Sequence, residues 1–439
     1  MHSPRPSRAE QIHAATPSSR NRVVDLLRAV AITVVVLGHW TIIAVSADGG
    51  IQPHGVLDAA RWTHPLTWIF QVMPIFFLVG GYSNALSWRS ARRRGLGYAP
   101  WLRSRLRRLG IPVIPLLLVW LAVCGIGLAA GAAPATLQLA SQMALVPTWF
   151  LAAYLLVIVV APACLVLWER FGWWSVAGGV LLAGIVDAGS ILADRPLLGY
   201  PNYLLVWASF HQVGFAWLDG RLAGSARRLA LAGIGAAGLA LLVGLGPYPV
   251  SMITAATDEI SNSSPTRVTM AFLGMAQAGL ILLAERPLAA LLERPRVWFL
   301  TVLVNQRIMT WFLWHLTALV ALAHLLIALD ARPLLPAPLS GVWWLTRPLW
   351  CLALLGLTAL LVLAFGRFES PRADDRPAPA LWRPVLAAAM VCAGLAVMAD
   401  AGMVGAGGLQ PLWPLLPPAG MLIGGIVALP GRRARTPQP

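Results

Sequence analysis

The chain has no lysine: all 33 of its basic side chains are arginine. Charge of either sign is scarce, at 11% of 439 residues, about half the share found in an ordinary soluble domain. Cysteine is nearly absent too. Cys124, Cys164, Cys351 and Cys392 all fall within apolar segments and at no metal-ligand spacing, so they read as small hydrophobes rather than a disulfide framework or a metal site. No Walker loop, HExxH, GxSxG or CxxC signature occurs. The first 22 residues lack the apolar core of a signal peptide. Rich in Ser, Pro and Arg, residues 1–22 are expected to be a disordered cytoplasmic arm, with the first apolar segment kept as an anchor.

What the chain has instead is apolar length. Hydrophobic residues make up 58% of it, more than a soluble protein of this size can hide. The runs are long, rich in Leu, Ala, Val and Gly, and do not alternate, which excludes a barrel and leaves helices as the way to satisfy the backbone in lipid. The fold class is therefore all-α, a polytopic transmembrane helix bundle. Twelve candidate spans fall near 24–46, 65–87, 111–131, 148–168, 173–192, 202–219, 229–247, 268–284, 308–328, 342–365, 384–401 and 411–429. The segment 296–304 reads as a short interfacial helix, and Pro414, Pro417 and Pro418 are expected to kink or shorten the last span.

The net charge of +16 is distributed as topology and not as a nucleic-acid-binding face. Arginines cluster on one side of the alternating spans, while the other side holds only Arg61, Arg195, Arg267, Arg332 and Arg347. The positive-inside rule then places both termini in the cytoplasm of a multi-pass plasma-membrane protein. No internal repeat is visible. The organisation expected is a core at 23–366, a cytoplasmic linker at 367–383, two further helices at 384–430 and a cytoplasmic tail at 431–439.

Few residues in such a chain can carry chemistry. In the first span, VDLLRAVAITVVVLGHW, Arg28 and His39 are eleven residues apart and share one helix face, about 16 Å apart along the axis. Arg28 falls at the cytoplasmic edge, where Asp25 one turn earlier can pair with it; the plain reading is a snorkelling anchor. His39 lies past mid-bilayer, where an ionisable group faces a cavity or a polar partner by default. The loop 88–115 holds eight arginines, and Arg105 and Arg108, one turn apart before Pro112, can grip a phosphorylated ligand; as topology determinants they need no ligand at all. Further candidate cavity residues are His315 in FLWHLTAL, Trp149 and Asp187. Each has a structural alternative: a packed aromatic interface for His315, the aromatic belt for Trp149, and a helix–helix pair for Asp187. The GGYSNA stretch at 80–85 reads as close backbone packing.

In order and spacing these features resemble the acyltransferase-3 family of integral membrane O-acyltransferases. The matching residues are Asp25, Arg28 and His39; FFLVGGY at 76–82; the Arg105–Arg108 pair before Pro112; WFLAAYLL at 149–156; and FLWH at 312–315. The resemblance covers roughly residues 22–366 and looks closest to actinobacterial members. It implies a ten-helix core, leaving two helices beyond it. It also implies transfer of an acyl group, often acetyl, from cytoplasmic acyl-CoA as co-substrate, with no bound cofactor and no metal, to a hydroxyl of a carbohydrate, glycolipid or glycosylated natural product. By the same analogy His39 is catalytic, and Arg28, Arg105 and Arg108 lie on the donor side. The competing classes are a transporter or flippase, against which the lack of matching halves counts, and a non-catalytic membrane scaffold.

Overall fold

A computed structural model describes residues 7–46, 50–255, 258–370 and 377–427, and it is almost entirely helical. The expected tail at 431–439, the last residues of the helical pair and the middle of the linker lie outside the described residues. The α-helices run in order as α1 (Arg8–Ala14), α2 (Arg22–Ile42), α3 (Gly55–Ala59), α4 (Thr67–Phe70), α5 (Met73–Arg93), α6 (Tyr98–Gly110), α7 (Val113–Ala129), α8 (Pro134–Leu145) and α9 (Pro147–Phe171). They continue as α10 (Trp173–Leu192), α11 (Asn202–Leu218), α12 (Ser225–Leu245), α13 (Thr269–Leu283), α14 (Glu285–Leu292), α15 (Pro295–Gln306), α16 (Ile308–Ala328), α17 (Gly341–Phe365), α18 (Trp382–Ala401) and α19 (Leu412–Ile423). Two short hairpins, β1 (Ala44–Ser46) with β2 (Gly50–Gln52) and β3 (Val404–Gly405) with β4 (Gly408–Leu409), are the strands among the described residues.

Every apolar run becomes a helix, but not every helix is a span. Among the described residues eight are long and apolar enough to cross a membrane, and ten if two bent pairs each count once: α6 with α7, bent by 44°, and α13 with α14, bent by 56°. The expected twelve falls short at α11, which stops at 17 residues, and at α19, where 12 residues reach only about 18 Å. Pro417 and Pro418 lie inside α19, as the sequence suggested. The short helix expected near 296–304 is α15, broken at Arg307 (φ −131°) before α16 begins.

Two sequence expectations need correction. Within the arm at 1–22, Arg8–Ala14 form the helix α1. Ser7 and Glu10 form a capping box that starts α1, and the helix is held by Thr16, whose hydroxyl accepts from Trp298 Nε1 at 2.8 Å. The Ser-x-x-Glu spacing was a legible start signal that composition concealed. The arginine-rich stretch 88–115 is likewise no plain loop: α6 buries Trp101, Leu102, Arg103 and Leu106 on one face and turns Ser104 and Arg108 outward.

The chain forms two compact units. The first comprises residues 1–87, 160–312 and 321–359. Its helices approach closely through glycine. A Cβ on Gly81 of α5 would meet the His211 carbonyl oxygen at 2.0 Å, and one on Gly214 of α11 would meet the Leu78 oxygen at 2.2 Å. Phe77 stacks on Trp207 beside this crossing, 4.4 Å between centroids. The GGYSNA stretch thus does pack two backbones together. The second unit comprises 88–159, 313–320 and 360–439, so the two C-terminal helices are part of it. There α18 and α19 form a hairpin packed on α6, α7 and α8.

Candidate active site

Helix α2 carries polar groups at both ends. Asn21 caps it, its side chain accepting from the Val23 amide at 3.1 Å. One turn in, Asp25 is buried, and its carboxylate collects two arginines. Arg20 Nε donates to Oδ2 at 2.6 Å, and Arg28 Nη1 donates to Oδ1 at 3.3 Å. The hydrogen bond to Asp25 holds the Arg20 guanidinium above its ordinary value, against the cost of burial. Arg28 Nη2 donates to Ser83 Oγ of α5 at 3.1 Å, and Asn305 Nδ2 of α15 donates to the Asp25 carbonyl at 2.9 Å. The pairing of Asp25 with Arg28 is thus as the sequence suggested. Ser83, Arg20 and Asn305 were not among the candidate site residues; Ser83 lies in the GGYSNA stretch and Asn305 in the polar Asn-Gln-Arg break before α16, and neither stretch marks a partner on α2.

Beside this cluster lies an open pocket of about 370 Å³, lined by Thr16, Arg20, Asp25, Trp298, Asn305 and Gln306 among others. Arg20 and Arg22 lie over the Trp298 ring at 5.7 and 5.1 Å. Arginine, carboxylate and indole in one concavity make a polar mouth at the Arg28 end of α2.

His39 sits at the other end, half-buried in the last turn of α2. It is nearer that end than mid-helix. Its neighbour Trp40 is fully buried, and the Trp40 carbonyl accepts from Trp350 Nε1 of α17 at 3.2 Å, which fixes the end of the helix. The chain then enters the β1–β2 hairpin and α3, whose preceding residue, His54, is close enough to His39 to interact electrostatically. Burial pushes His54 below its ordinary value, and the Asp58 carboxylate one turn on partly opposes the shift. A second pocket of about 520 Å³ opens here, lined by Gln52, His54, Asp58 and Pro338 among others. His54 was missed because it lies in a Pro- and Gly-flanked turn, with no helical periodicity to place it near His39.

The remaining candidates divide between the units. Asp187 is fully buried in the first unit, and its carboxylate accepts from Asn202 Nδ2 (2.7 Å), the Val268 amide (2.7 Å), Tyr248 Oη (3.2 Å) and Arg267 Nη1 (3.3 Å). Its contacts tie α10 to α11 and to the segment before α13. In the second unit, Arg105 of α6 is half-buried with its guanidinium 5.7 Å over the Trp101 ring, and Arg108 is exposed one turn on. His315 is fully buried in α16, where the next-door Trp314 stacks on Phe365 at 4.1 Å. Trp149 is half-buried in the first turn of α9, edge-on to Phe150. The four cysteines are unpaired thiols. Among the described residues no group of three or more His, Cys, Asp or Glu is placed to hold a metal ion.

A family model described as an acyltransferase domain matches residues 21–367, from the residue capping α2 to just beyond the end of α17. No curated protein and no solved structure matches the chain.

Proposed function

Because the chain belongs to the acyltransferase-3 family of membrane acyltransferases, we propose that it moves a short acyl group, such as acetyl, from cytoplasmic acyl-CoA to a hydroxyl of a carbohydrate, glycolipid or glycosylated natural product. The observation that supports this reading is α2 itself. It carries a fixed arginine–carboxylate cluster beside an open pocket at one end and a half-buried histidine in its last turn at the other. The reading assigns the Arg28 end to the cytoplasmic face of a plasma membrane, with both termini on that side, in keeping with the arginine bias. CoA is then a substrate and not a resident group.

In this scheme Arg105 and Arg108 bind donor phosphates, a task suited to guanidinium geometry. Asp25 holds Arg28 in place and Ser83 fixes its other edge. His39 acts as general base. It takes the proton of the acceptor hydroxyl as the oxygen attacks the thioester carbonyl; a C–O ester bond forms and the C–S bond breaks. The proton passes from the imidazole to the departing CoA thiolate, so the enzyme ends unchanged. Purified protein in detergent, given radiolabelled acetyl-CoA and a panel of hydroxyl acceptors, tests the scheme. Label in an ester and free CoA in equal amount support it. A trapped acyl-histidine in the absence of acceptor would replace the general-base role with a covalent one. Transport of a solute with no transfer of label would favour a transporter. Mass spectrometry of lipids and glycans from a deletion strain identifies the acceptor and acyl group together, by the ester that disappears.

A further inference from the structure

The two C-terminal helices lie beyond the matched domain, which ends at residue 367, yet they are bound tightly to the part of the second unit that carries Arg105 and Arg108. The hairpin is itself closely packed. Gly394 packs against Pro417, Gly420 against Ala387 and Met390, and Arg383 Nε donates to the Ile423 carbonyl at 2.8 Å. It is joined to α8 and α9 by side chains that donate to its backbone carbonyls. Gln142 Nε2 reaches Asp400 at 2.5 Å, and Thr148 Oγ1 reaches Leu395 at 3.0 Å. Met403 N returns a bond to Ser141 Oγ at 3.0 Å.

Two contacts fall on α6. Arg103 is 5% exposed, on the buried face of that helix, and its Nη1 donates to the Pro377 carbonyl, just before α18, at 2.7 Å. Seven residues on, Gly110 lies against Met421 of α19, so closely that a Cβ there would meet Met421 Cε at 2.4 Å. These points are about 10 Å apart along α6, at ~1.5 Å per residue. They bracket Arg105 and Arg108 in sequence. A helix held at one point can still roll or tilt, whereas one held at two points two turns apart cannot do so freely. The need for such a hold is local. Directly after Gly110 the chain bends by 44° into α7, so α6 is not kept in line by a continuous helix.

We propose that the C-terminal helical pair is a positioning element for the basic pair, with Arg103 and Met421 as the positioning residues that set the orientation of Arg105 and Arg108 toward a phosphorylated donor. This rests on the donor-binding reading of those two arginines. An uncharged polar side chain on the buried face would suffice for packing; a buried arginine reaching a backbone carbonyl suits a fixed register.

Steady-state kinetics with acetyl-CoA on the full-length protein tests it, with gel filtration in detergent confirming that each variant is folded. Arg103→Ala and Met421→Ala are each expected to raise KM for acetyl-CoA about tenfold with kcat changed less than about twofold, the pattern of lost donor binding. Arg103→Lys, which keeps one donor to the carbonyl, restores most of the loss. In a background already carrying Arg105→Ala and Arg108→Ala, Arg103→Ala adds nothing further to KM, because the groups it orients are gone. An unchanged donor KM in folded Arg103→Ala and Met421→Ala, where Arg105→Ala and Arg108→Ala do raise it, overturns the positioning role alone. An unchanged KM in Arg105→Ala and Arg108→Ala overturns the donor reading and this inference with it. If Arg103→Ala gives no folded protein, Met421→Ala decides by the same criteria.

Discussion

Asp25 and Arg28 face each other one turn apart on α2, with Nη1 3.3 Å from Oδ1, and the carboxylate is buried while the guanidinium is a quarter exposed. A buried acid between two arginines does more than offset one of their two charges: it fixes Arg28 against α5, where Ser83 takes the other edge. Asp25→Asn keeps the shape but removes the charge. Since both arginines are partly exposed, the stability loss is expected to be only about 1–2 kcal/mol, well below that of a fully buried pair. Misplacement of Arg28 is expected to lower turnover by about 10- to 100-fold in folded protein. Thermal unfolding in detergent and acetyl transfer on the same sample separate the two effects. A large loss of stability with full turnover per folded molecule would show that the cluster is a fold anchor alone.

His39 is expected to be the residue whose loss removes chemistry and little else. It is half-buried in the last turn of α2, and the end of that helix is fixed by other groups, Trp40 and Trp350. His39→Ala should therefore fold with a melting temperature near that of the parent. Acyl transfer should fall by about 10²–10⁴-fold, the usual worth of a general base. His39→Gln preserves size and a hydrogen bond, and it should be as inactive as alanine if proton transfer is the task. Substantial activity in either variant would exclude the general-base role.

Much of this was legible in the sequence, for reasons that can be named. Long apolar runs gave every span helix, because lipid leaves the backbone no other local solution. Asp25 and Arg28 could be paired because three residues along a helix is a contact, and contacts within one element follow from periodicity alone. What was hidden depends on contacts between elements. Ser83, Asn305 and His54 reach the ends of α2 from α5, α15 and a turn, and nothing in their own neighbourhoods marks the destination. Helix α6 was concealed by its own arginines, which mask an amphipathic pattern whose buried face includes Arg103. The shortfall in spans at α19 is a matter of length, set by the prolines within it and by where the chain turns.

His54 should make stability pH-dependent, and the sign follows from its environment. Burial lowers its folded value below the unfolded one, near 6.5. Above the unfolded value the imidazole is neutral in both states and costs nothing. As pH falls through about 6.5, the unfolded chain takes up a proton that the folded protein resists, so stability drops until the folded value is passed. Melting temperatures measured from pH 8 to pH 5 should fall on the acid side, and His54→Gln should flatten part of that slope. An Asp58→Asn variant should steepen it, because the carboxylate that favours the charged imidazole is gone. A slope that is identical in parent and His54→Gln would assign the acid sensitivity to other groups.

Asp187 and Arg267 form a buried ion pair, 0% and 5% exposed, whose two halves are not equivalent. Asp187 accepts four hydrogen bonds, three of them from groups other than Arg267. Arg267 leaves its Nε buried without a partner. Removing the acid therefore takes a partner from a tyrosine, a backbone amide and a buried guanidinium at once, while Asn202 Nδ2 keeps only its bond to the Ala183 carbonyl. Removing the base leaves a carboxylate that still has three donors. Asp187→Ala is expected to cost about 3–5 kcal/mol, the usual figure for breaking a buried pair, and Arg267→Ala clearly less. The double variant should be no worse than Asp187→Ala, since the guanidinium that lost its counter-charge is then absent. Turnover per folded molecule should stay within about twofold of the parent in all three if the pair serves the fold. The order of melting temperatures in detergent checks the argument. An Arg267→Ala variant as unstable as Asp187→Ala would mean that the charge itself, and not the set of donors, holds α10 to α11 and the segment before α13. Loss of turnover in well-folded Asp187→Ala would instead return Asp187 to the catalytic cavity.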